Sequence, residues 1–293
     1  MLIKLIEIFK SAFFRKNWKI GVVKINKKKF VNLKNLDVIE KNYKEVFVGN
    51  NNYIFFADPF PLNSKLLLAE AMNNKKIGEL VLINIDKAKV IKKFIQFKKH
   101  ISFPFLFFEK KKIFLIPEIS HWSNQKIYQY NPKNNKIFNV KNLKGIVSNQ
   151  LKDPVIYKKN KNYYLFYSLK NSKEIKIASS KNLFGKFKKI KNNTIPKLKS
   201  GVRMAGAIIN INSDCYRISQ NNANLYGDGV KINKILSLDQ ENYKEKYLRT
   251  LKFDKIYGPH TISFIGDKLF FDYYTLKFDL SHFANKLKEQ IFT

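Results

Sequence analysis

Short apolar and aromatic segments alternate with polar turns along most of the chain, and five of these segments resemble one another. They are ADPFP from residue 57, SFPFLF from residue 102, KDPVIY from residue 152, VRMAGAII from residue 202 and GPHTISFI from residue 258. Their starts are separated by steps of roughly 45, 50, 50 and 56 residues. Five similar units of about 50 residues are typical of a repeat architecture.

Each unit continues with a second apolar strand after a polar turn, namely KLLLAEAM, KIFLIPEI, NYYLFYSL, DCYRISQN and KLFFDYYT. Several units add a third such segment. Antiparallel strands at this spacing are typical of propeller blades. The helical periodicity of a parallel α/β fold is absent. The sequence therefore predicts an all-β, five-bladed β-propeller, and KIGVVKIN from Lys19 is a strand that could complete the last blade.

The first 18 residues have a different pattern, in which Lys4, Glu7 and Lys10 interrupt an apolar face. We predict a short N-terminal amphipathic helix over residues 1–18 and the propeller over residues 19–293. Because charges break the apolar run, it resembles neither a signal peptide nor a membrane span. Such a helix either makes peripheral contact with a membrane or packs on the flank of the domain. The expected location is the cytoplasm, or the inner face of its membrane.

In a propeller the innermost strands line a central channel, so the five repeated motifs should converge at one mouth. The prediction places Asp58, Asp153, Arg203 and His260 there, with Glu70, Glu118 and Gln220 contributed by the second strands. Carboxylates that face one another across a polar pocket suit sugar chemistry, since one can accept a proton while another donates one. Aromatic rings could stack on sugar faces; the candidates are Phe60, Phe103, Tyr226 and Tyr257.

The charge and the cysteine content narrow the alternatives. The net charge is +34, with 56 basic and 22 acidic residues, but the lysines are spread along the chain and accompany many asparagines. No nucleic-acid motif accompanies them, so nucleic acid is not the expected partner.

Arg203 and Arg217 are two of only four arginines, and arginine's bidentate geometry suits anionic groups. The single Cys215 excludes an internal disulfide. We expect a monomer without cofactor or metal.

The order of motifs ADPFP, LLLAEAM, IPEIS, KDPVIY, GVRMAGAII, YRISQNN and GPHTIS resembles one known family. It is the five-bladed propeller domain at the N-terminus of glucosamine inositolphosphorylceramide transferases, which also occurs in bacterial proteins of surface-polysaccharide synthesis. More distantly, the chain is similar to five-bladed propeller glycosidases of the arabinanase, invertase and levansucrase type. That resemblance implies that Asp58 is a base or nucleophile and that Asp153 fixes the transition-state geometry.

The fourth blade departs from the glycosidase pattern, which places an acidic glutamate there. This chain has Arg203, Arg217 and Gln220 in the corresponding region. Either Glu118 is a relocated acid, or no acid is needed because the leaving group is a phosphate held by arginines.

Three functions therefore remain open at the level of the sequence. The leading hypothesis is a glycosyltransferase-like enzyme of surface polysaccharide or glycolipid synthesis, acting on a sugar or an activated sugar phosphate. The alternatives are a glycoside hydrolase or phosphorylase of the same fold, and a non-catalytic sugar-binding or scaffold propeller. The candidate catalytic residues are Asp58, Asp153 and Glu118, and the candidate substrate-binding residues are Glu70, Arg203, Arg217, Gln220, Tyr226 and His260.

Overall fold

The described part of the chain forms five antiparallel sheets arranged as propeller blades. The structure is a computed structural model and describes residues 13–46, 48–49, 52–94, 99–119, 125–146, 151–170, 172, 174–195, 200–223 and 225–279. The first strands of four blades contact one another in the order fifth, first, second and third. The prediction of an all-β, five-bladed propeller is confirmed.

The first three blades each contain four strands in sequence order. Blade one consists of β3 (Tyr53–Pro61), β4 (Leu66–Asn73), β5 (Gly78–Asn84) and β6 (Lys89–Lys93). Blade two consists of β7 (Ile101–Glu109), β8 (Lys112–Ile119), β9 (Lys126–Asn131) and β10 (Lys136–Asn142). Blade three consists of β11 (Leu151–Lys159), β12 (Asn162–Leu169), β13 (Lys176–Ser180) and β14 (Lys188–Lys189).

The last two blades recruit strands from elsewhere in the chain. Blade four consists of β16 (Ile209–Ile211), β17 (Asp214–Gln220), β18 (Val230–Leu238) and β19 (Asn242–Leu251), with β15 (Asn192–Thr194) parallel to β19. Blade five consists of β20 (Ile262–Ile265), β21 (Lys268–Phe278), β1 (Phe14–Lys24) and β2 (Lys44–Glu45). All eleven residues of β1 pair with β21, so the predicted closure of the ring by the segment from Lys19 is confirmed.

The predicted N-terminal helix lies mostly outside the described residues, which begin at residue 13. Its predicted end at residue 18 is wrong, because Phe14–Lys24 is a strand whose backbone pairs with β21. Two short helices were not predicted: α1 (Lys27–Val31) and α2 (Asp37–Asn42). They place Phe30 and Ile39 in the apolar core of the last two blades. Among the described helices, none has the length and apolar character that a bilayer crossing requires.

The inner strands of the first three blades share an unusual backbone feature. Asp58, Phe103 and Asp153 adopt left-handed φ angles of 52°, 45° and 46°, and each is followed by a proline. The strand register shifts by one residue at each of these positions, which is a β-bulge. A bulge bends a strand and re-aims its side chains. The same local distortion therefore recurs at the residue before proline in three successive blades.

Candidate functional site

A polar cavity of about 270 Å³ opens at the end of the channel where these bulges lie. It is formed by the first and second strands of the blades, together with Trp18 of β1 and Tyr226 of the turn between β17 and β18. Its polar lining consists of Asp58, Glu70, His100, Ser102, Glu118, Lys152, Arg203, Tyr226 and His260. A pocket in which several ionisable groups converge is a candidate binding or catalytic site, so this cavity is the candidate site.

Asp58 is buried at the base of this cavity and both of its carboxylate oxygens accept hydrogen bonds. The Thr261 hydroxyl donates to Oδ1 at 2.6 Å, and the Phe103 backbone N–H donates to Oδ2 at 2.9 Å. Burial alone would raise the pKa of Asp58, but hydrogen bonds from His260, Thr261 and Phe103 lower it below its ordinary value. Asp58 is therefore ionised at neutral pH, as a proton acceptor must be.

His260 lies between two carboxylates and one phenol. Its Nδ1 is 3.2 Å from Asp272 Oδ2 and 3.5 Å from Asp58 Oδ1, and its Nε2 is 2.9 Å from the Tyr226 hydroxyl. Burial would lower the pKa of His260, but Tyr226 and the two carboxylates raise it well above its ordinary value. Asp272 also accepts backbone hydrogen bonds from Asp58, His260 and Thr261. The charged imidazole of His260 thus interacts with Asp58 of the first blade and with Asp272 of the fifth blade.

The charge on His260 predicts a pH-dependent contribution to stability. Because its folded-state pKa is raised above the ordinary value of 6.5, the contribution is fully present below pH 6.5 and is lost as the pH rises through the folded-state pKa. We therefore expect the difference in Tm between wild type and His260→Gln to be largest in mildly acidic buffer and to shrink in alkaline buffer. Thr261→Val is the control, since it removes a hydrogen bond to Asp58 but no titrating group. A difference that is constant with pH would contradict the charged imidazole.

A second ionic cluster lies across the cavity around Arg203. Its guanidinium binds both oxygens of Asp153 and lies 3.5 Å from Glu118 Oε2. Glu118 also pairs with the Lys152 ammonium and accepts a 3.1 Å hydrogen bond from the Asp153 backbone N–H. Burial raises the pKa of Asp153 to about 7 against the opposing effect of Arg203. Arg203 is therefore already engaged by two carboxylates, so a phosphate would have to compete with them.

Glu70 and His100 form a third, looser pair. Nε2 of His100 is 3.7 Å from Glu70 Oε1, while Nδ1 of His100 accepts a 2.9 Å hydrogen bond from the Gly78 N–H. Burial raises the pKa of Glu70 well above its ordinary value, and the charges of Asp58 and Glu118 raise it further. Glu70 is therefore held in its neutral form.

One group of described residues at the base of the cavity has the atom types and the short distances of a metal site. Ligand atoms of Asp58, His260 and Asp272 lie within 4.8 Å of one another. The oxygens of both carboxylates already accept hydrogen bonds from Thr261 and from backbone amides, and His260 supplies the positive charge. The arrangement is explained by an ion pair within the protein.

Most of the residues predicted from the sequence meet at this cavity. Asp58, Glu70, Glu118, Arg203, Tyr226 and His260 line it. Asp153 and Gln220 lie immediately behind them, where the Gln220 amide donates a 3.0 Å hydrogen bond to Asp153 Oδ2. Gln220 is fully buried, so its position supports Asp153 rather than a ligand.

The position of Arg217 corrects its predicted substrate-binding role. Its guanidinium is fully buried in blade four, where it forms two hydrogen bonds to Glu245, of 2.7 and 2.6 Å, and a third to the Gly201 carbonyl. It does not line the cavity. The side chain faces the inside of the blade because residues alternate along β17, so Arg217 is a structural residue. The predicted aromatic contacts of Phe60 and Phe103 are also wrong, since both rings lie in the apolar core.

Five polar residues of the site were not identified from the sequence: His100, Ser102, Lys152, Thr261 and Asp272. His100 stands two residues before the repeated segment SFPFLF and outside it, so no repeated motif indicated that it belongs to the site. Asp272 had a detectable signal, since it is an isolated carboxylate inside the aromatic strand KLFFDYYT, as Asp58 is within its own strand. Lys152 precedes Asp153 in KDPVIY, and only the pairing of blades two and three shows that it reaches Glu118.

The comparisons with known proteins agree with this architecture. Residues 85–256 match the family model described as glucosamine inositolphosphorylceramide transferase 1, N-terminal. The chain is 25% identical over 207 residues to glucosamine inositolphosphorylceramide transferase 1 of Arabidopsis thaliana, a match that covers 67% of this chain and 25% of that protein. The chain thus corresponds to about a quarter of the length of this relative.

Solved structures of glycoside hydrolases share the fold. A thermostable family-43 glycoside hydrolase superposes with a TM-score of 0.52 at 13% identity, over 73% of this chain and 84% of that chain. The family-43 endo-arabinanase from Bacillus licheniformis gives 0.51 at 12% identity, over 75% of this chain and 87% of that chain. At these identities the likeness concerns the five-bladed architecture. Since the family model matches more than half of its residues, this carbohydrate-related propeller belongs to the family of the N-terminal domain of glucosamine inositolphosphorylceramide transferase 1.

Proposed function

We propose that this chain is a glycosyltransferase-like enzyme of surface polysaccharide or glycolipid synthesis that binds a sugar in the central cavity. The observation that carries the proposal is the ionised Asp58 at the base of the cavity, presented by a β-bulge and fixed by Thr261, Phe103 and His260. The name of the Arabidopsis relative denotes transfer of a glucosamine, which supports an amino sugar as the transferred group.

The proposed reaction uses the groups that the cavity brings together. Asp58 accepts the proton of an acceptor hydroxyl as the acceptor oxygen bonds to the anomeric carbon of the donor. The bond from that carbon to the leaving oxygen breaks, and its electron pair stays on the oxygen. Asp153, which lies behind the lining and binds Arg203 through both oxygens, fixes the position of that guanidinium at the cavity.

The charge balance of the cavity favours a sugar over a multiply charged anion. Glu70 is neutral, and the other four carboxylates in or directly behind the lining (Asp58, Glu118, Asp153 and Asp272) outnumber the three positive groups, Lys152, Arg203 and His260. Although the chain as a whole has a net charge of +34, these three cations are all paired with carboxylates. Neutral hydroxyl groups or an ammonium group therefore suit the cavity better than a bare phosphate.

A glycoside hydrolase is the second candidate, because the fold is shared with family-43 enzymes. It would use the same residues with water in place of the acceptor hydroxyl. A sugar-binding module is the third candidate, because the chain corresponds to only 25% of its plant relative. The three candidates differ in their products. A glycosyltransferase gives a lengthened acceptor, a hydrolase gives a free sugar, and a binding module gives no product.

Sugar binding is the first test, by saturation-transfer NMR with neutral glycans, amino sugars and nucleotide sugars. We expect binding, and we expect Tyr226→Ala to weaken it by roughly two- to tenfold, because an exposed aromatic ring at the rim stacks on a sugar face. Tyr226 is 45% exposed. Phe138→Ala removes a ring that is 47% exposed on the outer part of blade two, so it is the matched control.

Product analysis by mass spectrometry, with an added acceptor, then separates transfer from hydrolysis. If no class of sugar binds, or if both ring deletions weaken binding equally, the cavity is not the sugar site.

A further inference from the structure

Glu70 occupies a defined place next to the proposed base. It lies on β4, where it pairs with Ala57, the residue before Asp58. Glu118 of β8 has the equivalent position in blade two, where it pairs with Ser102. Both side chains line the cavity. The two glutamates therefore occupy equivalent positions in the pairing of the first and second strands, but they have different neighbours.

Glu70 differs from the other carboxylates around the cavity in its lack of a close donor. Asp58, Asp153, Glu118 and Asp272 each accept hydrogen bonds from cations, hydroxyls or backbone amides. Among the described residues, the ionisable partner of Glu70 is His100, whose Nε2 is 3.7 Å from Oε1. That distance exceeds a hydrogen bond.

The surroundings of Glu70 oppose an ionised carboxylate. The side chain is only 9% exposed. The carboxylates of Asp58, Glu118 and Asp272 act on it with the same sign of charge, and the His260 imidazole alone acts in the opposite direction. A buried carboxyl group that faces like charges keeps its proton at neutral pH.

The absence of a side chain at Gly78 leaves room for the Glu70 carboxyl group. A Cβ atom at Gly78 would lie 2.4 Å from Glu70 Oε1 and 2.9 Å from His100 Cε1. The glycine therefore lets both side chains approach the same point. Its N–H donates to Nδ1 of His100, which leaves Nε2 of the neutral ring as the protonated nitrogen that faces Glu70.

From this placement, and resting on the function proposed above, we propose that Glu70 is the proton donor of the cavity and that the donor substrate is a glycoside. The Glu70 O–H gives its proton to the leaving sugar oxygen as the bond to the anomeric carbon breaks and the electron pair passes to that oxygen. Asp58 receives the proton of the acceptor hydroxyl. Glu70 ends as a carboxylate and Asp58 as an acid, and exchange with solvent restores both.

The assignment changes the role expected for Glu118. Glu118 is paired with Lys152 and lies near Arg203, and it accepts a hydrogen bond from the Asp153 backbone N–H, so its two oxygens hold Arg203 and Asp153 in place. A proton donor at Glu70 also indicates which leaving group the site would serve. A phosphate leaves without protonation, whereas a sugar alkoxide requires an acid. A protonated carboxyl group beside the base therefore fits a sugar hydroxyl as the leaving group.

The test compares Glu70→Gln with wild type on two donors that differ in the leaving group, an alkyl glycoside and a dinitrophenyl glycoside of the same sugar. We expect the variant to lose about 10²- to 10⁴-fold in kcat/KM on the alkyl glycoside and much less on the dinitrophenyl glycoside, whose leaving group needs no proton. Equal losses on both donors would overturn the assignment. Circular dichroism checks that the variant is folded.

A second measurement does not depend on activity. Infrared spectra at pH 7 should show the carbonyl stretch of a protonated carboxyl group that is lost in Glu70→Gln, while Glu241→Gln, the same change at an exposed glutamate outside the cavity lining, leaves it unchanged. Identical bands in wild type and Glu70→Gln would refute the proton on Glu70, even if wild type turns over glycosides. Conversely, a wild type that acts on no sugar would refute the proposed function, and with it the donor role, while the band would still report whether Glu70 is protonated.

Discussion

Replacing Asp58 with asparagine is expected to lower turnover by on the order of a hundredfold or more. The carboxamide keeps the shape of the side chain, and its oxygen can still accept the Thr261 hydrogen bond of 2.6 Å. It cannot accept the proton of an acceptor hydroxyl. Substrate affinity should therefore change much less than kcat. The measurement is steady-state transfer together with sugar binding by NMR on the same preparations.

Asp239→Asn is the matched control for this variant. Asp239 accepts backbone hydrogen bonds from Glu241 and Asn242 in an exposed turn, and the same chemical change there should leave turnover intact. An Asp58→Asn protein with undiminished turnover would exclude the proposed base. An Asp58→Asn protein that fails to fold would instead show that His260 requires this carboxylate, and Asp58→Glu would then test the base separately.

Replacing Arg217 with methionine is expected to destabilise the protein by about 3–5 kcal/mol, because it leaves Glu245 buried without its partner. Glu245 accepts two hydrogen bonds from Arg217, of 2.7 and 2.6 Å, and one of 2.6 Å from the Tyr243 hydroxyl. The double variant Arg217→Met, Glu245→Met should recover much of the loss. Denaturant unfolding of the three proteins measures both effects.

The Arg217 variant also distinguishes a structural residue from a ligand-binding one. If Arg217 bound substrate, its loss would weaken sugar binding and leave the free energy of unfolding close to that of wild type. The fully buried position predicts the reverse. A stable Arg217→Met protein with reduced sugar affinity would restore the role inferred from the sequence.

The repeat made the fold and the centre of the site predictable. Residues that recur at the start of successive units must meet at the axis of a propeller, so Asp58, Arg203 and His260 could be placed together without coordinates. The β-bulge before each proline, at Asp58, Phe103 and Asp153, strengthens this convergence. The repeat thus predicted that residues more than 200 positions apart in the sequence lie close together in the fold.

The parts that could not be predicted depend on side-chain direction and on contacts between blades. Arg217 and Gln220 are three residues apart on one strand, yet Arg217 points into the blade and Gln220 toward Asp153. His100 reaches Glu70 only because Gly78 leaves space between them. Repeat spacing positions a strand, but it does not specify such local orientations.

The pairing of β1 with β21 places the two ends of the described fold side by side, with Phe14 opposite Phe278. A polypeptide that enters and leaves at adjacent points can be inserted into another protein with little disturbance to its host. The same proximity would permit circular permutation, with new termini in an exposed turn such as residues 86–87 of blade one. Recombination could therefore move this propeller between larger proteins as a unit.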